Sequence, residues 1–175
     1  MHLYDAEIHV GTATPVVLQR DGTTVLFQNF TPTDYVLRNN LALRKLALME
    51  VTAYVAEHVS TVRTIRFALS GRVKGLDDGM KLASARSALL RSIGVLRIKV
   101  TPNPDSAYAG QFVVEGLWTN SPQNLAMLRA VLDEEREAYG ARKAAANSKP
   151  WRKLVAMIMK FLAPGEEGNS KNQVW

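Results

Sequence analysis

The sequence predicts an α+β fold, a two-layer sandwich in which a mixed β-sheet carries helices on one face and a C-terminal helical extension follows. Several short segments alternate apolar and polar residues, which is typical of strands with one solvated face. Longer segments with helical spacing separate them, and a helix between two strands implies a crossover. The 175 residues, 47% of them hydrophobic, suffice for one core and are few for two.

The N-terminal region predicts three strands. The segment YDAEIHV alternates as a strand, and the residues from Thr12 to Pro15 predict a break after it. The segment PVVLQRDGTTVLFQNF then predicts a hairpin, because Asp21 and Gly22 accommodate the positive φ angle of a tight turn.

Three helices are predicted in the body of the chain. Residues 31–34, TPTD, supply a cap and a proline suited to a helix start, and the spacing that follows predicts one long helix through His58. Residues 76–93 form a second predicted helix that enters through acidic residues and stops at a glycine. The third opens at Pro122 and is predicted to end at Gly140.

Three further strands lie among these helices, in the segments VRTIRFALS, VLRIKV and QFVVEGLW. Alternation in VLRIKV predicts that Leu96, Ile98 and Val100 face the helices. Arg97 and Lys99 are then predicted to face the open side of the sheet.

The domain organisation follows from these elements. Residues 1–140 are predicted to form the α+β domain, and residues 141–150 a linker or a frayed helix end. Residues 151–163 predict a basic amphipathic helix, and residues 164–175 a flexible tail.

Composition and charge limit the classes of function that the chain could have. The chain has 22 Lys and Arg against 16 Asp and Glu, a net charge of +6, which favours nucleic acid or an acidic membrane surface as a partner. The absence of cysteine excludes thiol nucleophiles, disulfides and Cys-based zinc sites. The first segment is unlike a signal peptide, and the chain has no long apolar run. With the absence of cysteine, these features predict a cytoplasmic protein of bacterial type, which could also attach peripherally to the inner face of the membrane.

The first candidate site is the open side of the predicted sheet. If the apolar residues of the later strands face the helices, cationic side chains emerge together on the other side, where they could contact backbone phosphates. The candidate nucleic-acid-binding residues are Arg66, Arg72, Lys74, Arg97 and Lys99. The alternative interpretation is that Glu115, also on the open side, pairs with Arg97 or Lys99 across strands.

The second candidate site is the closing segment, SKPWRKLVAMIMKFLAPG. Its apolar residues follow one helical stripe: Trp151, Leu154, Val155, Ile158 and Leu162. Its polar side carries only cations: Lys149, Arg152, Lys153 and Lys160. Such a helix could lie on an acidic bilayer, dock in a groove of a partner protein, or complete the core or a homo-oligomer interface of this protein.

The other patterns in the sequence do not indicate catalysis or metal binding. Asp77 and Asp78 stand where a helix entrance favours acids, without the further oxygen ligands of a calcium loop. The sequence contains no phosphate-binding loop, GxGxxG, GxSxG or HExxH motif, so no cofactor and no metal are predicted. A dispersed active site built on Glu7 and His9 is the only enzymatic hypothesis.

The leading prediction is therefore a non-enzymatic binding protein that contacts nucleic acid or another polyanion through the basic sheet face. The alternative is an assembly or adaptor protein that docks on a membrane surface or a partner protein through residues 151–163.

Overall fold

A computed structural model of the chain describes residues 1–39, 42–70, 76–103 and 111–147. The described residues form six strands and four helices: β1 His2–Asp5, β2 Ile8–Leu18, β3 Thr24–Pro32, α1 Asp34–Arg38, α2 Arg44–His58, β4 Thr64–Leu69, α3 Leu76–Ser92, β5 Leu96–Pro102, β6 Phe112–Thr119 and α4 Pro122–Asn147. The predicted α+β fold, a sheet with helices packed against it, is confirmed.

Within the described residues the strands form one mixed sheet in the order β1-β2-β3-β4-β6-β5. β1, β2 and β3 form an antiparallel meander, and β3 pairs with β4 in parallel. β6 lies antiparallel between β4 and β5. Helices α1 and α2 therefore connect the adjacent parallel strands β3 and β4. Helix α3 connects β4 to β5, and β6 lies between these two strands in the sheet.

The core lies between the sheet and the helices. Ile65 and Phe67 of β4 and Val114 and Trp118 of β6 are almost fully buried, and β6 packs against α3. The Trp118 indole N–H donates to the Ile93 carbonyl at 2.7 Å, so the one polar atom of this side chain is satisfied. The apolar side of each of these two strands therefore contributes to the core, as the alternation of their residues indicates.

The hairpin predicted at Asp21 and Gly22 joins β2 to β3. Gly22 has a φ of 68°, and the Asp21 carboxylate accepts hydrogen bonds from the Thr23 and Thr24 backbone N–H groups at 2.9 Å each. The Thr24 hydroxyl, which donates to the same carboxylate at 2.6 Å, and then these backbone bonds hold the pKa of Asp21 below its usual value.

The predicted break between Thr12 and Pro15 is wrong. β2 runs without interruption from Ile8 to Leu18 because it pairs with β1 along its first half and with β3 along its second. Ladder pairs flank the proline on both sides, at Thr14 and Val16. Pairing with two neighbours thus outweighs the local preference for a break. The chain instead turns at Ala6, which has a φ of 53°, and at Glu7.

The predicted long helix through His58 is also wrong, because it is two helices. α1 ends after Arg38, where the Asn39 side-chain amide donates to the Tyr35 carbonyl at 2.8 Å. A short polar side chain that bonds to nearby backbone favours a helix end over its continuation. Ala42, with a φ of 48°, lies outside both helices and precedes α2.

The end predicted for the third helix at Gly140 is wrong as well. α4 continues through the glycine to Asn147 and is 26 residues long. The Tyr139 hydroxyl donates to the Asp5 carboxylate at 2.7 Å, and the Lys143 ammonium binds the same carboxylate. Contacts on both sides of Gly140 therefore hold the helix together where its intrinsic propensity is weakest.

Salt bridges join α4 to α2, which lies antiparallel beside it. Lys45 binds Glu135 at 2.6 Å, and Arg136 binds Glu50 at 2.8 Å. Arg129 and Glu57 form a further bridge near the other end of α2. The division of the chain into a domain, a linker, a helix and a tail stays a prediction, and its last segments lie outside the described residues.

Candidate nucleic-acid interface

Arg66 lies at the centre of the sheet face opposite the helices, here called the open face. Its neighbours in register are Leu26 on β3 and Leu117 on β6, and the row continues to Val17 on β2 and Leu96 on β5. Arg66 is exposed, as predicted from the alternation of its strand.

Glu115 of β6 is the acidic residue of this region. The Arg66 guanidinium donates to the Glu115 carboxylate at 2.9 Å, and Lys99 stands opposite Glu115 in the β5–β6 register. Among the described residues Glu115 thus forms its cross-strand ion pair with Arg66 of β4, whereas the prediction named Arg97 or Lys99. Because both side chains are partly exposed, the pair contributes little stability, but it neutralises one of the predicted phosphate-binding cations.

A β-bulge interrupts β5 between Leu96 and Lys99. Arg97 lies within it, exposed and with a φ of 52°, which a non-glycine residue adopts at a cost. The bulge changes the alternation of the strand. Leu96 therefore lies on the open face with 68% of its surface exposed, and the prediction that it faces the helices is wrong.

The register brings together three of the five predicted phosphate-binding residues. Arg66 and Lys99 flank Glu115 on the open face, and Arg97 lies beside Lys99 in the bulge. Arg72 and Lys74 lie outside the described residues. The docking residues of the closing segment also lie outside them: Lys149, Trp151, Arg152, Lys153, Leu154, Val155, Ile158, Lys160 and Leu162.

An apolar row on the open face was not predicted. Val17, Leu117 and Leu96 are 47%, 43% and 68% exposed, and Leu26 between them is half-buried. The sequence did contain one indication of this row: Leu117 lies two positions after Glu115 and therefore on the same, open side of its strand. The open face therefore combines cations at the β5 edge with aliphatic side chains across its width.

The remaining predicted residues show no assembled site. Asp77 and Asp78 are exposed in the first turn of α3, where the helix dipole favours them. Glu7 lies in the turn between β1 and β2, so it does not share a strand face with His9, whose ring contacts His2 and the Gly11 carbonyl. Among the described residues no group of three or more potential metal ligands is found.

Comparison of the chain with protein-family models, with curated proteins and with solved structures finds no match. The helices among the described residues include none that is both long enough and apolar enough to cross a membrane. Function must therefore be argued from the arrangement of the side chains themselves.

Proposed function

We propose that this protein is a non-enzymatic binding protein that contacts nucleic acid or another polyanion along the β5 edge of the open face. The observation that supports the proposal is the charge at this edge. Three cationic side chains, Arg66, Arg97 and Lys99, stand with one carboxylate, Glu115, among the described residues of β4, β5 and β6. Flexible, exposed cations of this kind bind phosphates without reading a sequence.

The geometry favours single strands over a sequence-specific duplex complex. The open sheet face offers no helix to enter a major groove, whereas a strand of nucleic acid can lie across such a face with its phosphates at the cationic edge. The exposed Leu96 and Leu117 offer apolar surface to unstacked bases. A cytoplasmic location, suggested by the absence of cysteine, is part of this proposal.

The test is the affinity of the full chain for a fluorescent 20-nucleotide single strand, measured by anisotropy between about 50 and 200 mM salt, the range in which phosphate contacts change affinity most visibly. We expect the variant R97Q/K99Q to bind more weakly. If each side chain neutralises one phosphate, the slope of log affinity against log salt becomes shallower by about 1.4, because each contact on a single strand contributes about 0.7.

The matched control is K81Q/R91Q, which removes the same charge from exposed positions of α3 on the helical layer. It should keep the affinity and slope of the unmodified chain. An unchanged slope in R97Q/K99Q, or an equal loss in both variants, would show that net charge alone attracts the oligonucleotide.

The second candidate is an assembly or adaptor protein that docks through residues 151–163 on a membrane surface or a partner protein. The composition of that segment favours it, because an apolar stripe beside a polar side that carries only cations suits an acidic surface. The two candidates differ in the residues on which binding depends: R97Q/K99Q weakens the first contact, whereas Ile158→Asp weakens the second.

A further inference from the structure

Strands β3 and β4 separate beyond Phe27. Their parallel pairing covers only the residues from Thr24 to Phe27, although β3 continues to Pro32. Antiparallel pairing with β2 follows β3 along its whole length, so β3 turns away from β4 with its partner. A groove of about 1130 Å³ opens between the two strands on the side of the sheet that α2 and α3 cover.

Apolar side chains form part of the described walls of this groove. Phe27 of β3, Leu48 of α2, Leu69 of β4 and Leu89 of α3 line it. The described lining also includes uncharged polar residues: Gln28, Asn29, Thr31, Ser70, Ser92, Asn103 and Gln111. Apolar walls with a few polar groups are the usual construction of a small-molecule site.

Arg86 brings a positive charge into the groove. Its guanidinium donates to the Ser70 carbonyl at 2.9 Å and reaches the Leu69 carbonyl at 3.4 Å. Both acceptors are neutral, and no carboxylate among the described residues lies within salt-bridge distance of Arg86. Burial and the charge of Arg44 lower the pKa of Arg86, so a second guanidinium adds to the field at this point.

The described lining includes three cationic residues, Arg44, Lys45 and Arg86, and among the described residues only Lys45 of these has an acidic partner, Glu135. No Asp or Glu occurs among its described lining residues. Two guanidinium groups beside a partly desolvated cavity attract an anion, and the planar donors of arginine suit carboxylate and phosphate equally.

We propose that the groove between β3 and β4 binds a small organic anion, a carboxylate or phosphate attached to an apolar body. The anionic group contacts Arg44 and Arg86 at the carboxyl end of β4. The apolar body lies against Leu82 and Leu89 of α3, half-buried apolar residues of the lining. Ligands of α/β sheets commonly bind at the carboxyl ends of parallel strands, where neighbouring connections diverge.

The groove is separate from the proposed nucleic-acid interface. Arg44 and Arg86 belong to the helical layer, whereas Lys99 lies on the open face on the other side of the sheet. Loss of one activity therefore leaves the other intact, and variants at each location distinguish them.

The experiment is calorimetric titration of the full chain with octanoate and with adenosine 5′-monophosphate, beside their uncharged counterparts octanol and adenosine. The first pair represents an aliphatic carboxylate and the second an aromatic phosphate. We expect one of the two anions to bind with a stoichiometry of one and its uncharged counterpart to bind at least about tenfold more weakly, because one charge-assisted hydrogen bond accounts for about that factor.

The decisive variant is Arg44→Gln. Arg44 is exposed and makes no hydrogen bond or ion pair with another described residue, so the substitution leaves the fold intact. We expect it to weaken anion binding about tenfold. Arg86→Lys, which keeps the charge and removes the planar donors, should weaken it as well. Arg91→Gln, an exposed position of α3 outside this groove, and R97Q/K99Q should bind like the unmodified chain.

Three results would overturn the proposal. The first is that neither anion binds at millimolar concentration. The second is that octanol and adenosine bind as tightly as their anionic counterparts. The third is that the variant Arg44→Gln binds the anion as tightly as the unmodified chain does. If R97Q/K99Q loses nucleotide binding while Arg44→Gln keeps it, the nucleotide occupies the open face and the groove proposal fails.

Discussion

The Tyr139 hydroxyl donates a hydrogen bond of 2.7 Å to the Asp5 carboxylate and thereby connects α4 to the turn that follows β1. The two residues are 134 positions apart in the chain. Lys143, one helical turn further, binds the same carboxylate. Through this contact the last helix of the described chain fixes the N-terminal strand, which is an edge strand of the sheet.

Tyr139→Phe removes one donor from Asp5 without changing the shape of the side chain. We expect the free energy of unfolding to fall by about 1 kcal/mol, the lower range for a bond to a charged acceptor, because solvent partly screens Asp5. Urea unfolding followed by circular dichroism measures this change. Tyr54→Phe, an exposed tyrosine of α2, is the control and should leave the midpoint unchanged.

The same contact makes stability depend on pH. Hydrogen bonds from Lys143 and Tyr139 hold the pKa of Asp5 below its usual value. A carboxylate with a lowered pKa stabilises the fold fully above its unfolded pKa of about 3.9, and this contribution is lost as the pH falls through the folded value. Asp5→Asn should therefore melt below the unmodified chain at pH about 7, and the difference should shrink below about 4.

The control for the pH dependence is Glu134→Gln, which exchanges an exposed carboxylate on the same helix. Its melting temperature should follow that of the unmodified chain at every pH. A constant difference for Asp5→Asn between neutral and acidic pH would show that the charge of Asp5 contributes nothing.

Two glycines next to or within helices should respond to alanine in opposite directions. Gly94 follows α3 with a φ of 85°, and a Cβ there would lie 2.5 Å from the Asn124 side-chain oxygen. Gly140 is helical, and a Cβ there meets nothing within 4 Å. We expect Gly94→Ala to lower the free energy of unfolding by about 1 kcal/mol or more, and Gly140→Ala to raise it by about 0.5–1 kcal/mol.

Denaturant unfolding of both variants checks this prediction, with Ala138→Gly in α4 as the reverse control. A stabilised Gly94→Ala would mean that the residue after α3 can leave the left-handed region. A destabilised Gly140→Ala would mean that α4 needs a bend at this position.

The sequence was sufficient for the elements whose signals are local. The hairpin at Gly22, the glycine that stops α3 and the inward side of β4 all follow from φ preferences or from unbroken alternation. The failures have long-range causes. β2 is continuous because two strands pair with it, and α4 passes Gly140 because Asp5, far away in the chain, anchors it.

In the candidate sites, too, local features could be predicted and features with long-range causes could not. Arg66 was placed on the open face correctly, but its ion pair with Glu115 depends on the β4–β6 register, which one sequence does not determine. The bulge at Arg97 reversed the predicted position of Leu96. The groove beside Arg86 could not be predicted, because it depends on where two strands separate.

The docking hypothesis for the closing segment predicts sensitivity to one side of a helix. Ile158 lies in the apolar stripe of residues 151–162, whereas Ala156 lies on the opposite side at helical spacing. In flotation assays with phosphatidylglycerol vesicles we expect the full chain to float, Ile158→Asp to remain at the bottom, and Ala156→Asp, with the same added charge, to float. Equal loss in both variants would indicate attraction by charge alone, and no flotation of the unmodified chain would exclude the membrane form.

Removal of the one acid among the described residues of the cationic edge should increase polyanion binding. Glu115 neutralises Arg66 at 2.9 Å and stands opposite Lys99, so Glu115→Gln releases both cations for phosphates while the amide keeps the volume of the side chain. We expect tighter binding of a 20-nucleotide single strand, by roughly three- to tenfold at low salt, and a salt dependence steeper by about 0.7 if one further phosphate is contacted. Glu134→Gln on the exposed side of α4 adds the same net charge and should bind like the unmodified chain. If the two variants bind equally, the strand does not lie on the open face, and the contact must be sought elsewhere on the protein.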